Sequence, residues 1–210
     1  MTGKTHVAAG VASAVVAAAM LHVTMTPAIV VLGGIGGLAP DLDHPEALLT
    51  RHLLGVRQAS GIARETGFLR HRGFAHSVVA LVLSTWLLLP LVGGLMAHGT
   101  LALGVLVGHA GWTLALWHLW GPGKRIGWAA GFASHMVVDA LNTKGVQWFW
   151  PINLWIKSPI PNITVGTWPE DVFRWVMFLG IAVWAVRLGH PLWAVMVIAA
   201  SEGIYRIVKI

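Results

Sequence analysis

The chain has 210 residues, of which only 10% are charged and 56% hydrophobic, and its mean hydropathy is +0.72. A soluble domain carries about 25% charged residues, so this balance excludes an ordinary water-soluble core and fits helices embedded in lipid. The formal net charge of +6 sits in the polar segments between apolar runs, where it reads as membrane topology and headgroup contact rather than nucleic-acid binding. Cysteine is absent, so any metal site must be built from His, Asp and Glu.

The first apolar run, residues 7–23, is predicted as a retained helix rather than a secretion signal, because further apolar runs follow it. His6 stands just before it. The second run, 28–39, is bracketed by Pro27 and Pro40 and contains Gly33, Gly34, Gly36 and Gly37. At 1.5 Å per residue it covers about 18 Å, short of the hydrocarbon thickness of about 30 Å. Such a helix ends within the protein or packs tightly on a neighbour.

Residues 40–76 form the longest polar stretch and carry Arg51, Arg57, Arg64, Arg70 and Arg72, which places them in the cytoplasm by the positive-inside rule. Residues 77–97 and 101–120 are predicted as a spanning hairpin that returns the chain to the same face at 121–125. The next apolar helix, 126–141, is expected to dip into the membrane and return, so that all polar motifs share one face. A Trp- and Pro-rich segment, 147–170, reads as interfacial. Residues 172–186 and 192–207 are predicted as a final helical hairpin. The expected fold is an all-α polytopic membrane bundle of about six or seven hydrophobic helices, one integral membrane domain over residues 1–210.

Three motifs carry the candidate chemistry. Pro40-Asp41-Leu42-Asp43-His44-Pro45 offers two carboxylates at i and i+2, which point the same way if the segment is extended. His71-Arg72-Gly73-Phe74-Ala75-His76-Ser77 offers two imidazoles at a helix entry. Between them Arg72 cannot ligate a metal but can pair with phosphate. Ser134-His135 with Asp139 places a His and an Asp four apart, on one helical face. Three of the eight acidic residues fall in these motifs, each beside a histidine. Ionisable groups next to apolar helices are costly unless a cation gathers them. A His/Asp set suits Zn, with Mn or Fe as alternatives, and the number of donors admits more than one ion. Glu170 and Asp171 open a late helix and read first as caps. His22, His98 and His190 fall in turns at the opposite face, His52 in a solvated loop, and His109 and His118 in a spanning helix.

These motifs resemble those of the membrane-bound metal-dependent hydrolase family whose bacterial members include the LexA-regulated YdjM proteins. The matching residues are Lys4-Thr5-His6, Pro40-Asp41, Asp43-His44-Pro45, His71-Arg72-Gly73, His76-Ser77, Ser134-His135 and Asp139. Asn142, Gly145, Pro151 and Glu170 also fit the pattern. The ligand style is more distantly similar to zinc-dependent phospholipase C. The resemblance implies hydrolysis of a phosphoester, with a phospholipid as one candidate; with it, the residues point to an inner-membrane hydrolase that uses metal-activated water, its site toward the cytoplasm by the positive-inside rule. Its metal residues would be His6, Asp41, Asp43, His44, His71, His76, His135 and Asp139. Arg72, Asp43 and Asp139 would be catalytic. The alternative is a divalent metal-ion transporter or a metal-regulated membrane protein. Neither oligomeric state nor the identity of the general base follows from the residues.

Overall fold

A computed structural model describes residues 1–44, 47, 50, 72–88, 121–142, 144–159 and 163–209. Among these residues the structure is all-α. The helices are α1 (Gly3–Met20), α2 (Pro27–Gly36), α3 (Val78–Leu83), α4 (Pro122–Ala140), α5 (Trp168–Arg187) and α6 (Leu192–Lys209). Short 3-10 turns at Ala39–Asp43 and Phe74–His76 follow α2 and precede α3, and a π-helical turn at Ser84–Leu88 continues α3.

Helix α1 is apolar on every side, and such a helix belongs inside a bundle. Val7, Val11, Ala14, Val15 and Ala18 are all fully buried. Among the described residues it is the one helix long and apolar enough to cross a membrane by itself. It begins four residues earlier than the apolar run suggests, so His6 lies in its first turn.

Glycine sets the packing around α2. A Cβ added at Gly10 would stand 2.2 Å from the Gly33 carbonyl oxygen, and one at Gly131 would stand 2.1 Å from the same atom. Helix α2 is thus clasped between α1 and α4, with backbones in contact and no room for a methyl group. The partners also fix direction. Gly37 meets His6 and Gly33 meets Gly10, so α1 and α2 are antiparallel. Ile29 meets Gly127, Gly33 meets Gly131, and the Gly37 carbonyl meets His135, so α2 and α4 run parallel.

This register corrects the expected dip at 126–141. Helix α4 is one continuous rod of 19 residues that lies alongside α1 and α2 and does not fold back. Its start, Gly121–Arg125, lies at the end of the bundle remote from His135, near Val23 and Ile29. The segment 121–125 therefore does not share the end that carries the polar motifs. The physical reason is the spacing of Gly127 and Gly131 along one face, which lets the whole rod lie on α2. The far half of α3 and its π turn run to the same remote end: Trp128 Nε1 donates to Ser84 Oγ at 3.0 Å, and the Arg125 guanidinium lies 4.8 Å from the Trp86 ring centre. Residues 89–120, with the predicted 101–120 helix, lie outside the described residues.

Helix α5 starts beside Thr2 and finishes near Ala18 and His22, and α6 returns so that Glu202 reaches Lys4 at 3.3 Å. Both present large apolar side chains outward, among them Trp175, Leu179, Val183, Leu192, Val195 and Ile207. That surface is suited to lipid. The described residues between 141 and 167 close the polar end. Val146 and Ile156 pair as an antiparallel bridge, Gln147 N–H donates to Arg72 O at 3.1 Å, and Val78 N–H donates to Trp148 O at 2.9 Å.

Candidate metal centre

The C-terminal ends of α2 and α4 and the N-terminal ends of α1 and α3 meet at one end of the bundle. Helix C-termini are the negative ends of their dipoles, yet Asp41, Asp43 and Asp139 lie just there. The carboxylates are held by cationic and imidazole partners. Asp139 Oδ1 accepts from the Met1 ammonium at 2.7 Å and lies 3.3 Å from His6 Nε2. Its Oδ2 lies 3.4 Å from Arg72 Nη2 and 3.8 Å from Nε2 of both His76 and His135. Asp41 Oδ1 is 3.6 Å from the same two imidazole nitrogens.

His135 is the centre of the cluster. It is fully buried, and its Nδ1 sits 2.7 Å from the Gly37 carbonyl oxygen. A carbonyl only accepts, so Nδ1 carries the proton and Nε2 presents its lone pair to the cluster. A backbone carbonyl behind one imidazole nitrogen is the arrangement that fixes a metal-binding histidine. His76 Nε2 lies 3.1 Å from His135 Nε2 and takes the donor role. His6 stacks on His135 with ring centres 3.7 Å apart and planes 15° from parallel.

The two aspartates of the Pro40–Pro45 motif do not point the same way. The segment is a 3-10 turn rather than extended, because the chain leaving α2 keeps tightening through Leu38 N–H to Ile35 O and Asp41 N–H to Leu38 O. The carboxylates consequently straddle the His76 ring, Asp41 at Nε2 and Asp43 at Nδ1, 3.6 and 3.5 Å away. Both groups lie in turns outside the long helices. Burial drives the Asp41 carboxyl up, but the His135, His76 and His6 imidazoles outweigh it and hold it well below the usual carboxylate range. Burial drives His76 down, but Asp41 and Asp43 outweigh it and raise the imidazole to about 9.

The donors fit a divalent cation. Two triads, His6–Asp41–His135 and His76–His135–Asp139, each bring one ligand atom per residue within 4.8 Å of the others. Neither nitrogen of His6 has a hydrogen-bond partner among the described residues, though the ring is buried. Three imidazoles and two carboxylates gathered without sulfur match the chemistry of Zn, Mn or Fe. Both triads draw on His135, whose Nδ1 is already committed to Gly37. They therefore describe alternative donor sets around one nitrogen rather than two separate centres.

The remaining sequence candidates fall around this cluster. Arg72 has a left-handed backbone, φ 67°, that turns its buried guanidinium toward Asp139 and the Gly145 carbonyl, 3.5 Å from Nη1. Its Nε has no hydrogen-bond partner among the described residues. His44 caps the 3-10 turn and belongs to neither triad. His71 lies outside the described residues, as do His52, His98, His109 and His118. His22 and His190 sit at the remote end, as expected. Two contributors escaped the sequence reading. Gly37 supplies the carbonyl behind His135, and its only trace is a glycine just before Pro40. Thr2 receives Glu170, a pairing of residues 168 apart that leaves no local signal.

The buried His/Asp cluster at one end of an apolar helical bundle is a candidate metal site. The YdjM inner membrane protein family matches residues 1–209, and the chain belongs to that family. It is 29% identical to the inner membrane protein YdjM of Escherichia coli K12 over 159 residues, 74% of this chain and 63% of that protein; YdjM of Shigella flexneri gives the same values. The alignment thus spans less than two thirds of the length of those relatives. The uncharacterized protein YvsG of Bacillus subtilis is 23% identical over 175 residues, 82% of this chain and 86% of that protein. No solved structure matches the chain.

Proposed function

We propose that this protein is a membrane-embedded, metal-dependent hydrolase of a phosphoester, with phospholipids as the substrate class at hand in the bilayer. The observation that carries the reading is the convergence of His6, Asp41, His76, His135 and Asp139 in a buried pocket, with His135 locked by Gly37 so that Nε2 faces the cluster. His135, His76, Asp139 and Asp41 would hold the cation, with His6 as a further donor. A divalent cation supplies Lewis acidity and lets water ionise near neutral pH.

The chain's own residues supply the rest. Asp43 orients His76 from behind, holding Nε2 toward the cluster. The second oxygen of Asp41, which is partly exposed, can take a proton from water entering the site. Arg72 Nε has no hydrogen-bond partner among the described residues and would donate to a phosphoryl oxygen, and its charge opposes the negative charge that develops as the ester breaks.

In this reading the bundle is multi-pass and its polar end faces the cytoplasm. Lys4, Arg72, Lys144, Lys157, Arg174, Arg206 and Lys209 lie at that end, against Lys124, Arg125 and Arg187 at the other, which supports the orientation by the positive-inside rule.

Elemental analysis of detergent-purified protein, with a turnover screen of phospholipids and soluble phosphodiesters, tests the proposal. Wild type should carry a divalent metal, and Asp139→Ala and His135→Ala should lose both metal and turnover. Metal-free wild type that cannot be loaded would refute it. Metal flux across proteoliposomes without turnover would replace it with the ion-carrier reading.

A further inference from the structure

We propose that Glu170 is a positioning residue for His6, acting through the first turn of α1 and not as a ligand itself; its role in metal binding rests on the hydrolase reading. Glu170 is 1% exposed, in the first turn of α5. Its Oε1 accepts from Thr2 N–H at 2.6 Å and from Thr2 Oγ1 at 2.7 Å, and its Oε2 accepts from Gly166 N–H at 2.7 Å. Three donors already surround the carboxylate, and it belongs to neither triad.

Thr2 is the N-cap of α1, but its own side chain makes no capping bond. The cap function is carried across the fold by Glu170. Negative charge at a helix N-terminus is favoured by the dipole and by the unpaired N–H groups there. From Thr2 the link to His6 is direct, because His6 N–H donates to Thr2 O at 3.1 Å and Thr5 N–H to the same oxygen at 3.0 Å. Thr2 and Thr5 hydroxyls are 3.2 Å apart, and Arg174 Nη1 reaches Thr5 Oγ1 at 3.5 Å. One turn of α5 thereby grips one turn of α1.

His6 is tied to this grip through its own backbone. His135 is oriented by Gly37 and His76 by Asp43, each through its ring. The His6 ring makes no hydrogen bond among the described residues; Asp139 Oδ1 lies 3.3 Å from its Nε2, the ring stacks on His135, and its backbone placement sets how well it meets both.

The test uses the full chain in detergent, Co²⁺ as the probe metal, and NMR of the His6 ring, assigned with His6→Ala. Glu170→Ala should shift the His6 ring signal in the metal-free protein and weaken Co²⁺ binding by about 10- to 100-fold, the range for losing an outer-shell partner. In the His6→Ala background the same change should alter Co²⁺ affinity less than about 2-fold, since interacting residues are non-additive. Thr2→Ala, which leaves Glu170 intact, should shift the His6 signal in the same direction and keeps the question open to measurement if Glu170→Ala fails to fold. Equal loss of Co²⁺ in both backgrounds, or an unmoved His6 signal in Glu170→Ala and Thr2→Ala, overturns the proposal. A wild type that binds no Co²⁺ would remove the hydrolase reading, and the metal-free His6 signal would still decide this one.

Discussion

Gly37 offers the sharpest separation between packing and the metal centre. A Cβ at this position would lie 2.4 Å from the His6 carbonyl oxygen, 3.2 Å from its carbonyl carbon and 3.3 Å from Gly10 Cα. Ordinary van der Waals contact requires α1 to withdraw by about 1 Å, since close-packed interiors leave no slack. Gly37→Ala should cost about 1–3 kcal/mol of stability as an overpacked site. The same retreat pulls His6 off His135 and shifts the Gly37 carbonyl that holds His135 Nδ1. A misplacement of about 1 Å in a preorganised site is worth about 100-fold, so Co²⁺ affinity should fall by about that factor. Gly127→Ala provides the control. Its Cβ would also stand 2.4 Å from a carbonyl oxygen, that of Ile29, but two helical turns from His135. It should lose similar stability while keeping Co²⁺ affinity within about 3-fold. Thermal unfolding and Co²⁺ titration in detergent read both quantities. Wild-type affinity in Gly37→Ala, or an equal loss in Gly127→Ala, would refute the coupling of this backbone contact to the site.

Two further outcomes are expected. Arg72→Ala should retain its metal while turnover falls by about 100- to 1,000-fold, the scale for removing one donor to developing charge; equal loss of metal would show that Arg72 holds the ligands rather than the substrate. Metal-free stability should also depend on pH in a defined sense. Asp41, lowered in the fold, contributes above its unfolded range near 4 and is lost as pH falls; His76, raised to about 9, contributes fully below 6.5 and is lost as pH rises through 9. The unfolding temperature of metal-free protein should therefore decline between pH 6.5 and 9, and the decline should be absent in His76→Gln and in Zn²⁺-loaded protein, where the imidazole must be neutral. An unchanged slope in His76→Gln would remove His76 as its source.

Much of this architecture could be read before folding because its signals are local. Apolar runs, Pro27, the glycine cluster of α2 and the i, i+4 spacing of His135 and Asp139 each report a helix, its start, a tight neighbour or a shared face. Where the reading went astray, the deciding contact was not local. Nothing in 126–141 tells whether it turns back, since that depends on Gly127 and Gly131 finding the α2 backbone. Nothing in Asp41-Leu42-Asp43 tells a 3-10 turn from an extended strand, since the turn is imposed by the helix just before it.

The sequence by itself determined the solvent, the all-helical class and the kinds of donor available, because composition and periodicity act residue by residue. The tertiary structure alone decided which donors share a pocket. His6, Asp41, His76, His135 and Asp139 come from four separate segments and meet only because small residues let three backbones touch. It also assigned Asp43 to the back of His76, Gly37 to the back of His135 and Glu170 to the start of α1. Such roles are matters of distance and direction between remote segments, and chain order does not encode distance.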